Sequence, residues 1–223
     1  MLAATTLALA ALAGCSSGGP AGSDVSNRSA ATDAASSTGG PSATGFDGAL
    51  LPGNLRPYEF TLADQYGRRV SLRALRGRVV ILAFLYTSSK TTAPLIAQQI
   101  RGALDELESE PQAPGPHAGV SGQPVTALAV SVDPAADTPT RVRAFLHASS
   151  LTGRLEYLTG SLAQLRSIWQ AYHVVPAAAG PRAYEEGAFV VVLDRAGVAR
   201  VEFPLEELTP EALAHDVRKL ENE

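Results

Sequence analysis

Val79-Val80-Ile81-Leu82-Ala83-Phe84-Leu85 is a stretch of seven apolar residues with no polar break. A strand with one wet face alternates in polarity. An unbroken run of this length, opened by β-branched residues, fits a strand covered on both faces. The run leads into Tyr86-Thr87-Ser88-Ser89-Lys90-Thr91-Thr92-Ala93-Pro94, where hydroxyl side chains offer helix caps. Leu95, Ile96, Ile100, Leu104 and Leu107 then recur at helical spacing.

The same alternation continues downstream. Val125 to Val132 is a second buried strand, and Asp133 to Pro139 turns into a helix carrying Val142, Phe145 and Leu146. Asp137-Thr138-Pro139 has the form of a helix cap with Pro in the first turn. Leu155 to Leu158 is a short strand. Ser161 caps a helix with Leu162, Leu165, Ile168, Trp169 and Tyr172 on its apolar stripe. Phe189 to Leu193 and Val198 to Phe203 flank the turn Asp194-Arg195-Ala196-Gly197, and Thr209-Pro210 opens a C-terminal helix. Upstream, Tyr58 to Leu62 and Arg69 to Leu72 flank Asp64-Gln65-Tyr66-Gly67 as a β-hairpin. Strands interleaved with helices predict an α/β domain, a central sheet flanked by helices with an N-terminal hairpin, over residues 46–223.

The first 45 residues differ in kind. Leu2 to Ala13 is apolar and too short for a permanent bilayer span. It ends in Leu12-Ala13-Gly14-Cys15, which fits a signal-peptide core with small residues at a cleavage site, although no Lys or Arg precedes Arg28. Residues 16–45 are mostly Ser, Gly, Ala, Thr and Pro with a few Asp, one Val and no larger apolar residue. Such a segment cannot bury enough surface to offset the entropy of ordering it. It reads as a tether with a root-mean-square reach of roughly 30 Å.

Composition narrows the chemistry. The 223 residues contain one Cys and one Met, and the Met is the first residue. The folded part therefore has neither thiol nor thioether, which excludes thiol-disulfide exchange and thiol peroxidase chemistry. The net charge of -4, without a basic tract, disfavours nucleic acid as a partner. No pair among His117, His147, His173 and His215 has metal-motif spacing, and Ser89 has neither a G-x-S-x-G setting nor an evident His-Asp pair. The chain is expected not to be an enzyme. Ser89, Lys90 and Thr91, at a predicted helix N-terminus, are the residues an anion would meet.

Leu12 to Cys15 resembles the bacterial lipobox, which implies lipidation of Cys15 and a protein anchored to the outer face of the cell membrane. Four stretches of the domain resemble the SCO/SenC family of copper-handling proteins: Gly77 to Thr87, Val130-Ser-Val-Asp-Pro-Ala-Ala-Asp-Thr-Pro139, Leu158 to Ser161 with the helix ending in His173-Val174, and Tyr184 to Asp194. The resemblance implies a thioredoxin-like fold, copper as the ligand, and assembly of a respiratory oxidase as the setting. The family holds copper with two Cys spaced Cys-x-x-x-Cys and one His. In this chain those positions are Ser89, Ala93 and about Glu186. The expectation is a family member with no cofactor at that loop, working as a binding or assembly partner. The alternative is metal handling through His and carboxylate groups that the sequence does not bring together.

Overall fold

The computed structural model describes residues 45–109 and 125–223. Cys15, the tether up to residue 44, and the Gly/Pro-rich loop with His117 lie outside the described residues.

Among the described residues, eight strands and five α-helices follow in chain order. The strands are β1 (Ala49–Leu50), β2 (Thr61–Ala63), β3 (Arg69–Ser71), β4 (Val79–Leu85), β5 (Val125–Ser131), β6 (Leu155–Leu158), β7 (Phe189–Leu193) and β8 (Ala199–Pro204). The helices are α1 (Thr92–Ser109), α2 (Pro139–Ala148), α3 (Leu162–Ala171), α4 (Pro181–Glu186) and α5 (Pro210–Glu221). Six strands form one mixed sheet in the order β1-β8-β7-β4-β5-β6. β4 pairs with β5 in parallel, Val79 opposite Val125 through Leu85 opposite Ser131, and antiparallel with β7 on its other side. Every residue of β4 is buried, as its unbroken apolar run requires. Its larger side chains each contribute roughly 1.5–3 kcal/mol through burial.

The expected hairpins form. In the first, β2 and β3 pair antiparallel as a separate two-stranded sheet. Both turns use one device. The Asp64 carboxylate accepts the N–H groups of Tyr66 and Arg68 at 2.9 and 2.8 Å, and Gly67 takes φ +79°. Asp194 accepts from Ala196 and Val198 at 2.9 and 3.0 Å, and Gly197 takes φ +75°. An Asp oxygen pairs the turn's N–H groups while Gly supplies the left-handed residue. The hairpin also covers the β6 edge, since Gln65 Oε1 accepts the Tyr157 N–H at 2.9 Å and Ala63 bridges Thr159.

The helix caps stand where the hydroxyls placed them. Thr138 accepts the Arg141 N–H, Thr209 accepts that of Ala212, and Ser161 with Gln164 forms a reciprocal capping box. Two apolar stripes need correction. Leu95 and Leu162 are exposed, while Ala93, Ala97 and Ala103 carry the buried face of α1 with Ile96, Ile100 and Leu104. Small residues suit α1 because α5 packs closely against it. A Cβ at Gly102 would lie 2.8 Å from the Pro210 ring.

The sequence patterns miss two elements, β1 and α4. β1 follows a strap in which Phe46 is buried and Asp216 of α5 accepts the N–H groups of Asp47 and Gly48, both at 2.9 Å. Among the described residues no helix is long and apolar enough to cross a membrane.

Candidate functional site

The site lies where β4 and β5 end, beside the loop from Tyr86 to Thr91. β-Strands leave carbonyls unpaired where the ladder stops, and buried carbonyls need donors. Three aromatic side chains donate here from three elements, although Leu85 O also accepts the Val132 N–H at 2.9 Å. The Tyr184 hydroxyl from α4 donates to Phe84 O at 2.8 Å, the Tyr157 hydroxyl from β6 to Leu85 O at 2.8 Å, and the Trp169 indole N–H from α3 to Ser131 O at 3.0 Å. Tyr184 also meets Tyr86 edge-on, with ring centroids 4.8 Å apart. Burial first, then the nearby Asp137 carboxylate, raises Tyr157 well above the ordinary phenol range. It therefore stays a donor at every working pH.

Asp137 is the centre of this network. Its carboxylate is buried and accepts four groups: the Thr87 N–H at 2.7 Å, the Thr87 hydroxyl at 2.7 Å, the Ser131 hydroxyl at 2.6 Å, and the Tyr157 hydroxyl at 2.8 Å. The last proton is shared with Leu85 O. The helix cap expected of the Asp137-Thr138 pair falls to Thr138, which frees Asp137 to hold the loop. Sequence reasoning missed this role, because the partners stand 50, 6 and 20 positions away in the chain. The one available signal was a second cap-type residue directly before a competent cap.

The residues at the expected ligand positions are placed as follows. Ser89 is buried and its hydroxyl oxygen accepts the Ala93 N–H at 3.1 Å, so it satisfies a free donor at the start of α1. Ala93 is fully buried, its methyl group in the core. Glu186 is exposed at the end of α4 and pairs with Arg182 at 2.9 Å. A buried hydroxyl already engaged as a cap, a methyl group and a surface carboxylate do not form a soft-metal donor set. Copper does not fit these three residues.

Of the expected anion loop, Lys90 and Thr91 are exposed and Ser89 is turned inward. Lys90 lines a hollow of about 400 Å³ with Tyr86, Ser88, Asp133, Ala177 and Glu185. Two carboxylates thus share the hollow with one ammonium group.

The structure brings Asp47, distant in the chain, to the adjacent pair His215 and Asp216. Asp47, His215 and Asp216 have ligand atoms within 4.8 Å of one another. Both Asp216 oxygens already receive strap N–H groups, and His215 Nδ1 stands 3.0 Å from Asp216 and 3.2 Å from Asp47. The cluster fastens the strap to α5.

The fold and the placement of the β4–α1 loop can be set beside known proteins. The family model SCO1/SenC matches residues 53–222. The chain belongs to the SCO1/SenC family. Its thioredoxin-like α/β fold is that of solved Sco proteins. ScoI from Bradyrhizobium japonicum, solved with copper bound, is 26% identical, with a TM-score of 0.52 over 74% of this chain and 98% of that one. BsSco, a member of the Sco family of cytochrome c oxidase assembly proteins in which a disulfide switch was identified, is 21% identical, with a TM-score of 0.60 over 78% of this chain and 98% of that one. SCO1 homolog 2, a mitochondrial protein of Arabidopsis thaliana, is 28% identical over 115 residues. That stretch is 52% of this chain and 37% of the Arabidopsis protein. This SCO1/SenC chain therefore matches only about a third of its plant relative's length. The strap, residues 45–52, precedes the matched region.

Proposed function

We propose that the chain is a lipid-anchored SCO1/SenC protein that serves oxidase assembly through protein contacts and does not carry copper on the family's loop. Family membership supports the setting, a copper-dependent cytochrome oxidase assembled outside the cytoplasm. The observation that carries the departure is the loop itself. Ser89 caps α1, Ala93 packs in the core, Glu186 pairs with Arg182 on the surface, and the domain has no cysteine. Thioredoxin-like proteins that use a thiol pair need the loop to change state. Here Asp137 fixes the loop at its base, so its outer residues present one constant shape to a partner. The single cysteine, Cys15, belongs to the lipobox, where lipidation would place the domain at the outer face of the membrane at the end of its tether. The role is that of a non-enzymatic assembly factor.

Deletion of the gene tests the reading. Spectroscopically assembled, copper-containing oxidase should fall in the deleted strain and return when the chain is supplied in trans, with Ser89→Ala restoring it as well as the parent chain does. Unchanged oxidase in the deleted strain would remove the assembly role.

A further inference from the structure

A second hollow, of about 520 Å³, opens on the side of α3 away from the capping box and is lined by Arg166, Trp169, Gln170, His173, Val174 and Pro176. It is an open depression of the surface and not an enclosed cavity. Its polar groups differ from those of the loop hollow, for no carboxylate lines it. Arg166 has no hydrogen bond or ion pair among the described residues, and it is exposed. His173 acts electrostatically on the half-buried Glu202 of β8, whose pKa is raised by burial and lowered in part by His173. Trp169, Val174 and Pro176 provide the apolar wall, with the indole N–H already satisfied by Ser131.

α3 ends in a Schellman motif: the Val174 N–H bonds to Trp169 O at 2.8 Å and the His173 N–H to Gln170 O at 3.4 Å. The residue after the cap in that motif must be left-handed, and Gly takes the position most easily. Here His173 holds it at φ 56°, as Ser150 does at the end of α2. The left-handed turn places His173 in the hollow that Arg166 and Gln170 also line.

We infer that this hollow binds an organic carboxylate, the acid group held by the Arg166 guanidinium, the His173 ring and the Gln170 amide, with the apolar body against Trp169 and Pro176. A planar guanidinium suits a carboxylate because two N–H groups can meet two oxygens. The source is either a free small acid or the C-terminal carboxylate of a partner protein. The site is independent of the copper loop and does not require the assembly role.

Trp169 is the chain's one tryptophan, so its fluorescence reports on this wall alone. Titration of the full chain with 3-phenylpropionate, and with N-acetyl-alanyl-phenylalanine bearing a free C-terminus, should change Trp169 emission saturably. The corresponding amides should bind about tenfold more weakly. Arg166→Gln, on an exposed helix face, should weaken the acids alone by a similar factor. His173→Gly should weaken them too while the melting temperature holds or rises. Saturation by the peptide acid only would assign a protein C-terminus, and saturation by both a free acid. No saturable change at about 10 mM of either acid would overturn the site. Equal binding of acid and amide, or an unchanged affinity in Arg166→Gln, would overturn the carboxylate assignment.

Discussion

Asp137 shows how one residue can set a site that it does not line. Four donors converge on its two oxygens, and three of them are side-chain hydroxyls, of which that of Tyr157 also reaches Leu85 O. Asp137→Ala would leave the Ser131 and Thr87 hydroxyls and the Thr87 N–H without their acceptor, which costs on the order of 3 kcal/mol. Denaturant unfolding should show that loss, and hydrogen exchange should show the Thr87 amide opening before the amides of β4. Asp64 makes a different kind of contribution. Its burial alone would raise its pKa, but the Arg68 side chain and the N–H groups of Arg68 and Tyr66 outweigh burial and hold it below the usual carboxylate value. A depressed folded pKa stabilises the protein above the unfolded value, near 3.9, and the gain is lost as pH falls through the folded value. Unfolding free energy measured from about pH 6 to pH 2 should therefore fall less steeply in Asp64→Asn than in the parent chain. Asp64 was legible as a turn residue because its partners lie within four positions. Asp137 was not, because its partners become neighbours only once β4, β5 and β6 have aligned.

Elements were legible where the signal was local. β4 announced itself as a run too apolar to face water, α3 by the Ser161 cap, α5 by Thr209-Pro210, and both hairpins by their turns Asp64-Gln65-Tyr66-Gly67 and Asp194-Arg195-Ala196-Gly197. β1 has two residues, and its pairing of Ala49 with Glu202 depends on the strap docking against α5. α4 has six residues, and what holds it is the Tyr184 hydroxyl on β4 together with the Tyr184 ring against Tyr86. Neither leaves a periodic pattern. The apolar stripe of α1 misled at Leu95, which is exposed, while Ala93, Ala97 and Ala103 are buried. The α1–α5 contact yields a prediction against helix propensity. Gly102→Ala should stabilise an isolated helix by about 1 kcal/mol. In this fold the new methyl group would meet the Pro210 ring at 2.8 Å, and overpacking costs roughly 1–3 kcal/mol. Thermal melting should show Gly102→Ala below the parent chain, and a higher melting temperature would disprove the close packing.

At the scale of the whole molecule, the strap joins the expected tether to the domain through Phe46 in the core and Asp216 on the Asp47 and Gly48 N–H groups. The lipobox reading gives that tether a membrane end. Cell fractionation should find the chain with membranes and Cys15→Ala in the soluble exported fraction. A variant that stays with membranes would refute the lipid anchor. The family was legible in the sequence from Val130 to Pro139 and its flanking strands. What the sequence could not supply was how the β4–α1 loop is held, which depends on Asp137 and on aromatic donors drawn from three elements. The central claim is that this fold persists without the family's copper chemistry, and Cu(I) binding tests it most directly. The full chain carrying Cys15→Ala, titrated with Cu(I) against a chromogenic chelator, should withdraw no stoichiometric copper, and its thermal melting should not move. A 1:1 Cu(I) complex that survives the chelator would contradict the account.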